Sequence, residues 1–168
     1  IHRAYHAYPK TLTTKDGKLV NAAYGFFSIV LQVINKYQPA EIYFAFDSKE
    51  KTFRHKVYPE YKGTRKKTDE ELTVQFKTIK DVLLAADFKI IELPGFEADD
   101  IIGTLACSND LTGKQKIIIT GDGDLMQLIN KEVKVLLSGS AFQKSSLFDS
   151  KTAEIKLGYP VTKIIEYK

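Results

Sequence analysis

Six carboxylates stand where three apolar runs of the chain end. Asp47 follows EIYFAF, Glu97, Asp99 and Asp100 open the stretch GFEADDIIGT, and Asp122 and Asp124 follow QKIIIT. Glu97, Asp99 and Asp100 crowd what reads as the first turn of a helix. Acids there suit a helix dipole, and Asp47 alone could simply open a turn. If the three runs are strands of one sheet, however, all six acids reach one edge and share a cleft. Carboxylates a few ångströms apart in a partly desolvated site resist simultaneous ionisation unless cations are present. Oxygen-only donors select hard ions, so magnesium or manganese fits better than zinc. Calcium is a weaker match, because GDGD lacks the remaining ligand spacing of an EF-hand loop and runs directly into a helix. Two such ions about 4 Å apart activate water and stabilise a leaving oxygen in phosphodiester hydrolysis.

A polyanionic substrate needs cations beside those ions. Between Lys49 and Lys67 eight Lys or Arg face two acids, a local charge of +6 within a chain of formal charge +4, so the remainder is net acidic. Phe53, Tyr58 and Tyr61 are interleaved with these cations. A solvated charge run would not need aromatics, whereas single-stranded nucleic acid is bound by stacking bases and neutralising phosphates. The residue chemistry therefore points to a metal-dependent nuclease or phosphatase, the aromatics favouring nucleic acid, with a non-catalytic binding protein as the alternative.

The elements that must position these groups alternate. Residues 1–9 read as a short helix or turn carrying Arg3; His2 and His6, four apart, read as packing residues rather than metal ligands. TLTTKDGK (11–18) reads as a turn or small hairpin. Asn21 is expected to cap an amphipathic helix to about Lys36, with Ala22, Phe26, Ile29, Val30, Val33 and Ile34 inward. Residues 41–46 form a strand buried on both faces. Pro59 and Gly63 exclude one continuous helix through the basic segment. Thr68 or Asp69 starts a helix to about Ala86, with Leu72, Phe76, Ile79, Val82 and Leu83 inward. Strands follow at 88–93, 115–120 and 133–137, the acidic helix opens within 95–104 and takes in Cys107, further helices lie at 125–130, 152–157 and 161–167, and loops at 110–114 and 138–146. This alternation predicts an α/β fold with a mostly parallel central sheet and helices on both faces.

The length of 168 residues and 43% hydrophobic content suit a single domain over residues 1–168. No apolar run approaches the roughly 18 residues of a membrane span, and IHRAYHAYPK is no signal sequence, so a soluble, cytoplasmic protein is expected. The single cysteine, Cys107, excludes an internal disulfide and a multi-cysteine zinc site, and reads as a buried structural thiol.

The chain also resembles the 5′→3′ exonuclease domain of bacterial DNA polymerase I and the wider flap-endonuclease superfamily, of PIN-like or resolvase-like fold. The resemblance rests on Arg3-Ala4-Tyr5-His6-Ala7, residues 21–26, Ala45-Phe46-Asp47, Thr52-Phe53-Arg54-His55, Tyr61-Lys62-Gly63-Thr64-Arg65, residues 95–104 and residues 120–125, in order along nearly the whole chain. It implies that Asp47, Glu97, Asp99, Asp100, Asp122 and Asp124 bind two or more magnesium (or manganese) ions. It makes residues 49–68 a basic helical arch or clamp, through or under which a single-stranded 5′ end passes. Lys62, Arg54 and Asp100 become the catalytic residues, with Lys62 foremost for phosphate contact. Arg3, Arg54, Tyr61, Lys62, Arg65, Lys66 and Lys67 become the nucleic-acid contacts. The implied activity is 5′-3′ exonuclease and 5′ flap cleavage at single-strand/duplex junctions and nicks in DNA replication and repair, by a monomer that binds no membrane.

Three departures stand out. The family begins with a strand ending in a metal-binding Asp, whereas this sequence starts just after that place. It stops at Ile165-Glu166-Tyr167-Lys168, where the family continues into a further acid pair and a helix-hairpin-helix element. The family's Gly-Asp-Lys-Asp is here Gly-Asp-Gly-Asp, which removes a cation but no ligand. The chain is accordingly expected to be a fragment, and two other readings remain: a non-catalytic nucleic-acid-binding module, and a PIN-type ribonuclease, against which the basic segment speaks.

Overall fold

The computed structural model describes residues 1–63, 68–139 and 145–167. These form two compact units, Ile1–Ala98 and, from Asp99 on, Asp99–Gly139 with the described part of Gln143–Lys168. Among the described residues, five strands hydrogen-bond as a two-stranded sheet in the first unit and a three-stranded sheet in the second. Two of the three strand pairings are parallel.

The first unit contains α1 (His2–Ala7), α2 (Asn21–Tyr37), β1 (Tyr43–Ala45), α3 (Phe53–Val57), α4 (Glu70–Ala85) and β2 (Lys89–Ile91). Strands β1 and β2 pair in parallel, Tyr43 opposite Lys89 and Ala45 opposite Ile91, and the Phe46 amide extends the ladder by donating to the Ile91 carbonyl. Helices α2 and α4 supply apolar stripes to one cluster: Ala23, Phe46, Ile79 and Leu83 are buried, with Phe26, Phe27, Phe44, Phe76 and Phe88 against them. Ile79 and Leu83 are fully buried; truncating either to alanine should cost roughly 2–5 kcal/mol. Strand β1 is half-buried rather than enclosed on both faces, and only Phe46 beyond it is fully inside. Val82 is 44% exposed, so the inward stripe of α4 is narrower than its periodicity suggests.

Polar groups do much of the local positioning. Asn21 is not the cap of α2; Val20 holds that place, and Asn21 is a buried first-turn residue. Its side-chain amide donates to the carbonyls of Tyr5 and Tyr8, tying α1 to α2. Gln75 donates to the Asn21 side chain, and its own oxygen accepts the Ala22 and Ala23 amides. A buried glutamine inside an apolar stripe leaves no periodic signal, but here its oxygen satisfies two amides of the first helical turn that have no partner within the helix. Gly25 lets α1 approach α2 closely, since a Cβ there would lie 2.8 Å from that of Ala4 and 2.6 Å from the Tyr8 ring. Asp69 holds the N-cap position of α4 without a capping bond from its side chain; its carboxylate accepts the Tyr5 hydroxyl at 3.1 Å instead.

In the second unit, α5 (Ala98–Cys107) begins at the boundary between the units, and β3 (Lys116–Thr120), β4 (Val133–Leu137), β5 (Ser146–Phe148) and α6 (Ser150–Leu157) follow. Strands β3 and β4 are parallel in register Lys116 to Val133, and β5 is antiparallel, Val135 opposite Phe148. The core gathers Ala106, Ile118, Met126, Val133, Val135 and Ala153 among others. Strand β5 lies just past the expected polar loop and is too short to show a period; residues 140–144 of that loop lie outside the described residues. The segment Gly123–Leu128 is a 3₁₀-helix rather than an α-helix, as are Asn109–Leu111 and Val161–Lys163. The start of Gly123–Leu128 is fixed by the Asp122 side chain, which accepts the Asp124 amide. Cys107 is exposed, contrary to expectation, because it ends α5 one position beyond the face that buries Ile101 and Ala106.

Candidate metal and nucleic-acid site

Parallel strands deliver acids at their carboxyl ends, where open α/β sheets place ligands. In the first unit, the chain leaves β1 through Phe46, and Asp47 follows. Its Oδ1 accepts the Ala98 amide at 2.8 Å, so a strand-end acid caps the first amide of α5. Glu97 immediately precedes that amide. It is presented by a turn in which Gly95 takes φ +85°, a left-handed conformation suited to glycine, and the Phe96 amide returns to the Leu93 carbonyl.

The basic segment folds back onto this turn. The Phe53 amide donates to the Gly95 carbonyl at 3.0 Å, and α3 is held by a capping box in which the Thr52 amide donates to His55 Nδ1 at 3.1 Å. After Pro59 the chain turns, and Lys62 adopts φ +56°. That conformation brings its ammonium to Glu97 Oε1 at 2.7 Å, while Tyr61 donates to Oε2 at 3.2 Å and Arg54 Nη1 stands 3.6 Å from the same oxygen. The Glu97 side chain is only 12% exposed, and those of Lys62 and Arg54 are 29% and 31% exposed. In so sheltered a position a charge-assisted hydrogen bond is worth more than a surface ion pair. Tyr61, expected to stack on bases, spends its hydroxyl on Glu97 while its ring lies 5.1 Å from the Lys62 ammonium.

In the second unit, Asp99 and Asp100 lie in the first turn of α5, Asp99 exposed and Asp100 half-buried. The Asp100 carbonyl accepts the Thr104 hydroxyl at 2.8 Å. Asp122 follows the end of β3; its amide donates to Thr120 Oγ1 and its Oδ1 accepts the Asp124 amide, both at 2.9 Å, which starts the 3₁₀-helix. The six acids are thus divided, Asp47 and Glu97 in the first unit and the other four in the second. Among the described residues no three His, Cys, Asp or Glu side chains are gathered closely enough to hold a metal ion. The donor set is nonetheless all carboxylate, which fits a divalent cation. Arg3 is exposed on α1, lining an open cleft with His2, His6 and Ala7. Arg65, Lys66 and Lys67 lie outside the described residues.

Sequence reasoning missed Thr52 and His55, whose capping box orients Arg54, because histidine replaces the usual Glu or Gln at the third position. It also passed over Phe96, which pairs with Phe53 at 5.9 Å between ring centres. Its place beside Glu97 was the available signal.

No helix among the described residues is long and apolar enough to cross a membrane. The chain is 35% identical over 170 residues to DNA polymerase I of Caldicellulosiruptor bescii, covering 100% of this chain and 20% of that protein. It is 35% identical over 169 residues to the 5′-3′ exonuclease of Aquifex aeolicus, covering 99% of this chain and 56% of the relative. It therefore spans about a fifth of the first and a little over half of the second. Among solved structures, the flap endonuclease of bacteriophage T5, in a pseudo-enzyme-product complex with DNA and metal ions, superposes with a TM-score of 0.67 at 21% identity, over 85% of this chain and 55% of that one. This likeness shows the fold, an α/β arrangement of resolvase-like, PIN-like type. The family described as 5′-3′ exonuclease, N-terminal resolvase-like domain, matches residues 1–158, and with strand-end acids and a basic segment in the places described, the chain belongs to that family.

Proposed function

We propose that the chain is the catalytic part of a magnesium- or manganese-dependent 5′-3′ exonuclease and structure-specific 5′ flap endonuclease acting on DNA in replication and repair. The observation that carries this reading is the convergence on Glu97: a carboxylate of metal-ligand type, close to a strand-end acid, meets the two cations best suited to a phosphate, Lys62 and Arg54. Membership of the exonuclease family supports it, as do the exonuclease name of the Aquifex relative and the DNA and metal ions in the T5 complex.

In this reading residues 1–168 serve one nuclease domain, with 49–68 as its basic arch. Asp47, Glu97, Asp99, Asp100, Asp122 and Asp124 would hold two or more ions. Bound divalent ions would supply the activated water and the Lewis acid facing the leaving oxygen. Lys62 and Arg54 move from Glu97 to the scissile phosphate, where a flexible ammonium follows the developing charge and a planar guanidinium clamps two oxygens. Arg3, Arg65, Lys66 and Lys67 neutralise flanking phosphates, and Tyr61 orients Lys62 and Glu97. The protein acts as a cytoplasmic monomer on nicks and flap junctions.

The test is incubation of the full-length protein with a labelled 5′ flap in magnesium or manganese, with and without chelator. Metal-dependent cleavage near the junction is expected, abolished by Asp100→Ala with DNA binding largely retained. Binding without cleavage would leave a non-catalytic module, and preferential cutting of single-stranded RNA would leave a PIN-type ribonuclease; either result overturns the proposal.

A further inference from the structure

Two large aromatic side chains stand exposed beside the Glu97 cluster. Phe53 is 43% exposed and Phe96 is 47% exposed, and their rings meet at 5.9 Å between centres with 55° between planes. Burial of such rings is worth roughly 25 cal/mol per Å², yet both rings remain half in solvent. Backbone hydrogen bonding fixes the pair, since the Phe53 amide donates to the carbonyl of Gly95, the residue before Phe96. Each aromatic residue also adjoins a charged one in sequence. Arg54, next to Phe53, places its guanidinium carbon 4.6 Å from the Phe53 ring centre, and Glu97, next to Phe96, holds Lys62.

An exposed aromatic pair flanked by cations suits one class of ligand. A nucleotide carries an anionic phosphate and, one sugar away, a flat base whose face stacks on aromatic rings. A protein partner would use the apolar surface but not the neighbouring positive charge; the segment 49–67 carries a net +6. We infer that Phe53 and Phe96 form a stacking platform for a base of single-stranded DNA, next to the phosphate held by Arg54 and Lys62. The platform deepens the proposed function and rests on its choice of nucleic acid as substrate. It requires neither metal nor cleavage.

Stacking and phosphate contacts leave different marks. Each phosphate contact with a single strand steepens the salt dependence of binding by about 0.7 in log K against log salt. Stacking contributes affinity without altering that slope. The test uses the full-length protein in chelator with an oligodeoxynucleotide carrying 2-aminopurine at successive positions of a 5′ overhang. One position is expected to be quenched on binding. Phe96→Leu, which keeps apolar bulk but removes the π-face, should lose that quenching and weaken binding about fivefold to thirtyfold, with the salt slope unchanged. Phe96→Trp should restore both, and Arg54→Ala should flatten the slope. Phe53→Leu is expected to follow Phe96→Leu. If the leucine variants bind and quench like the parent, or lose affinity only through a flatter slope, the platform is refuted. Because chelator is present throughout, a protein that never cleaves can still show the platform. Conversely, a protein that cleaves flaps while the leucine variants behave like the parent refutes the platform alone.

Discussion

Lys62 and a divalent cation would compete for one carboxylate, and removing Lys62 should therefore strengthen metal binding. Glu97 Oε1 lies 2.7 Å from the Lys62 ammonium, in a pair whose side chains are 29% and 12% exposed. The gross Coulomb term at that distance is about 6 kcal/mol for an effective dielectric of about 20. Most of it is offset by desolvation, and the net worth of a charge-assisted hydrogen bond is about 1.5–3 kcal/mol. Because Lys62 is partly solvated and Arg54 and Tyr61 still hold the other oxygen, the low end applies, about 1–1.5 kcal/mol. An ion that uses Glu97 must displace this contact, so Lys62→Met should tighten magnesium or manganese binding by roughly five- to tenfold. Calorimetric titration without DNA is the assay. Lys56→Met, which removes an exposed cation from the same segment, corrects for the general loss of positive charge. The variant should also cleave more slowly, so affinity for metal and rate of reaction move in opposite senses. If Lys62→Met binds metal no better than Lys56→Met, Glu97 is not the shared carboxylate and the site must be redrawn.

Other expectations concern the scaffold. Gln75→Met should lower stability by roughly 2–4 kcal/mol, since it strands the Ala22 and Ala23 amides and the Asn21 side chain in the core; urea denaturation would show it, and an unchanged midpoint would discount the network. Gly25→Ala should cost roughly 1–3 kcal/mol by overpacking against Ala4 and Tyr8. The Glu71 carboxylate is held below its ordinary 4.5 by hydrogen bonds from Lys10 and then Tyr5, and Asp149 below 3.8 by the amide and then the hydroxyl of Thr152. Depressed acids stabilise above their unfolded values and lose that contribution as pH falls through the folded ones. Stability should therefore be level from pH 7 to about 5 and decline below about 4.5. Lys10→Met should flatten the decline, and urea midpoints measured from pH 7 to 3 decide it.

The sequence revealed chemistry at strand ends more readily than the means of holding it. Asp47, Glu97 and Asp122 were legible because a breaker or a turn followed each apolar run, and the structure puts Asp47 and Asp122 just past the ends of β1 and β3. Helices α2 and α4 were legible from their periods to within one or two residues. What stayed hidden depends on contacts distant in sequence. Asn21 looks like a cap until Tyr5 and Tyr8 are seen to accept its amide, and Gln75 looks like an exposed residue until Asn21 faces it. The engagement of Lys62 with Glu97 spans thirty-five positions and relies on a left-handed lysine that no local pattern encodes. Strand β5 gains its identity only from β4.

Helix α1 has a consequence for how the protein breathes. Six residues are too few for a helix to persist alone in water, so α1 exists because the Asn21 amide, the gap at Gly25 and the Asp69 and Glu71 carboxylates that accept the Tyr5 hydroxyl clasp it from outside. Its amide hydrogens should therefore exchange with solvent at a rate set by the α2 and α4 partners, whatever helix-forming residues are placed within it. Arg3 rides on this borrowed helix. Its direction is set by an asparagine and a glycine that carry no charge of their own.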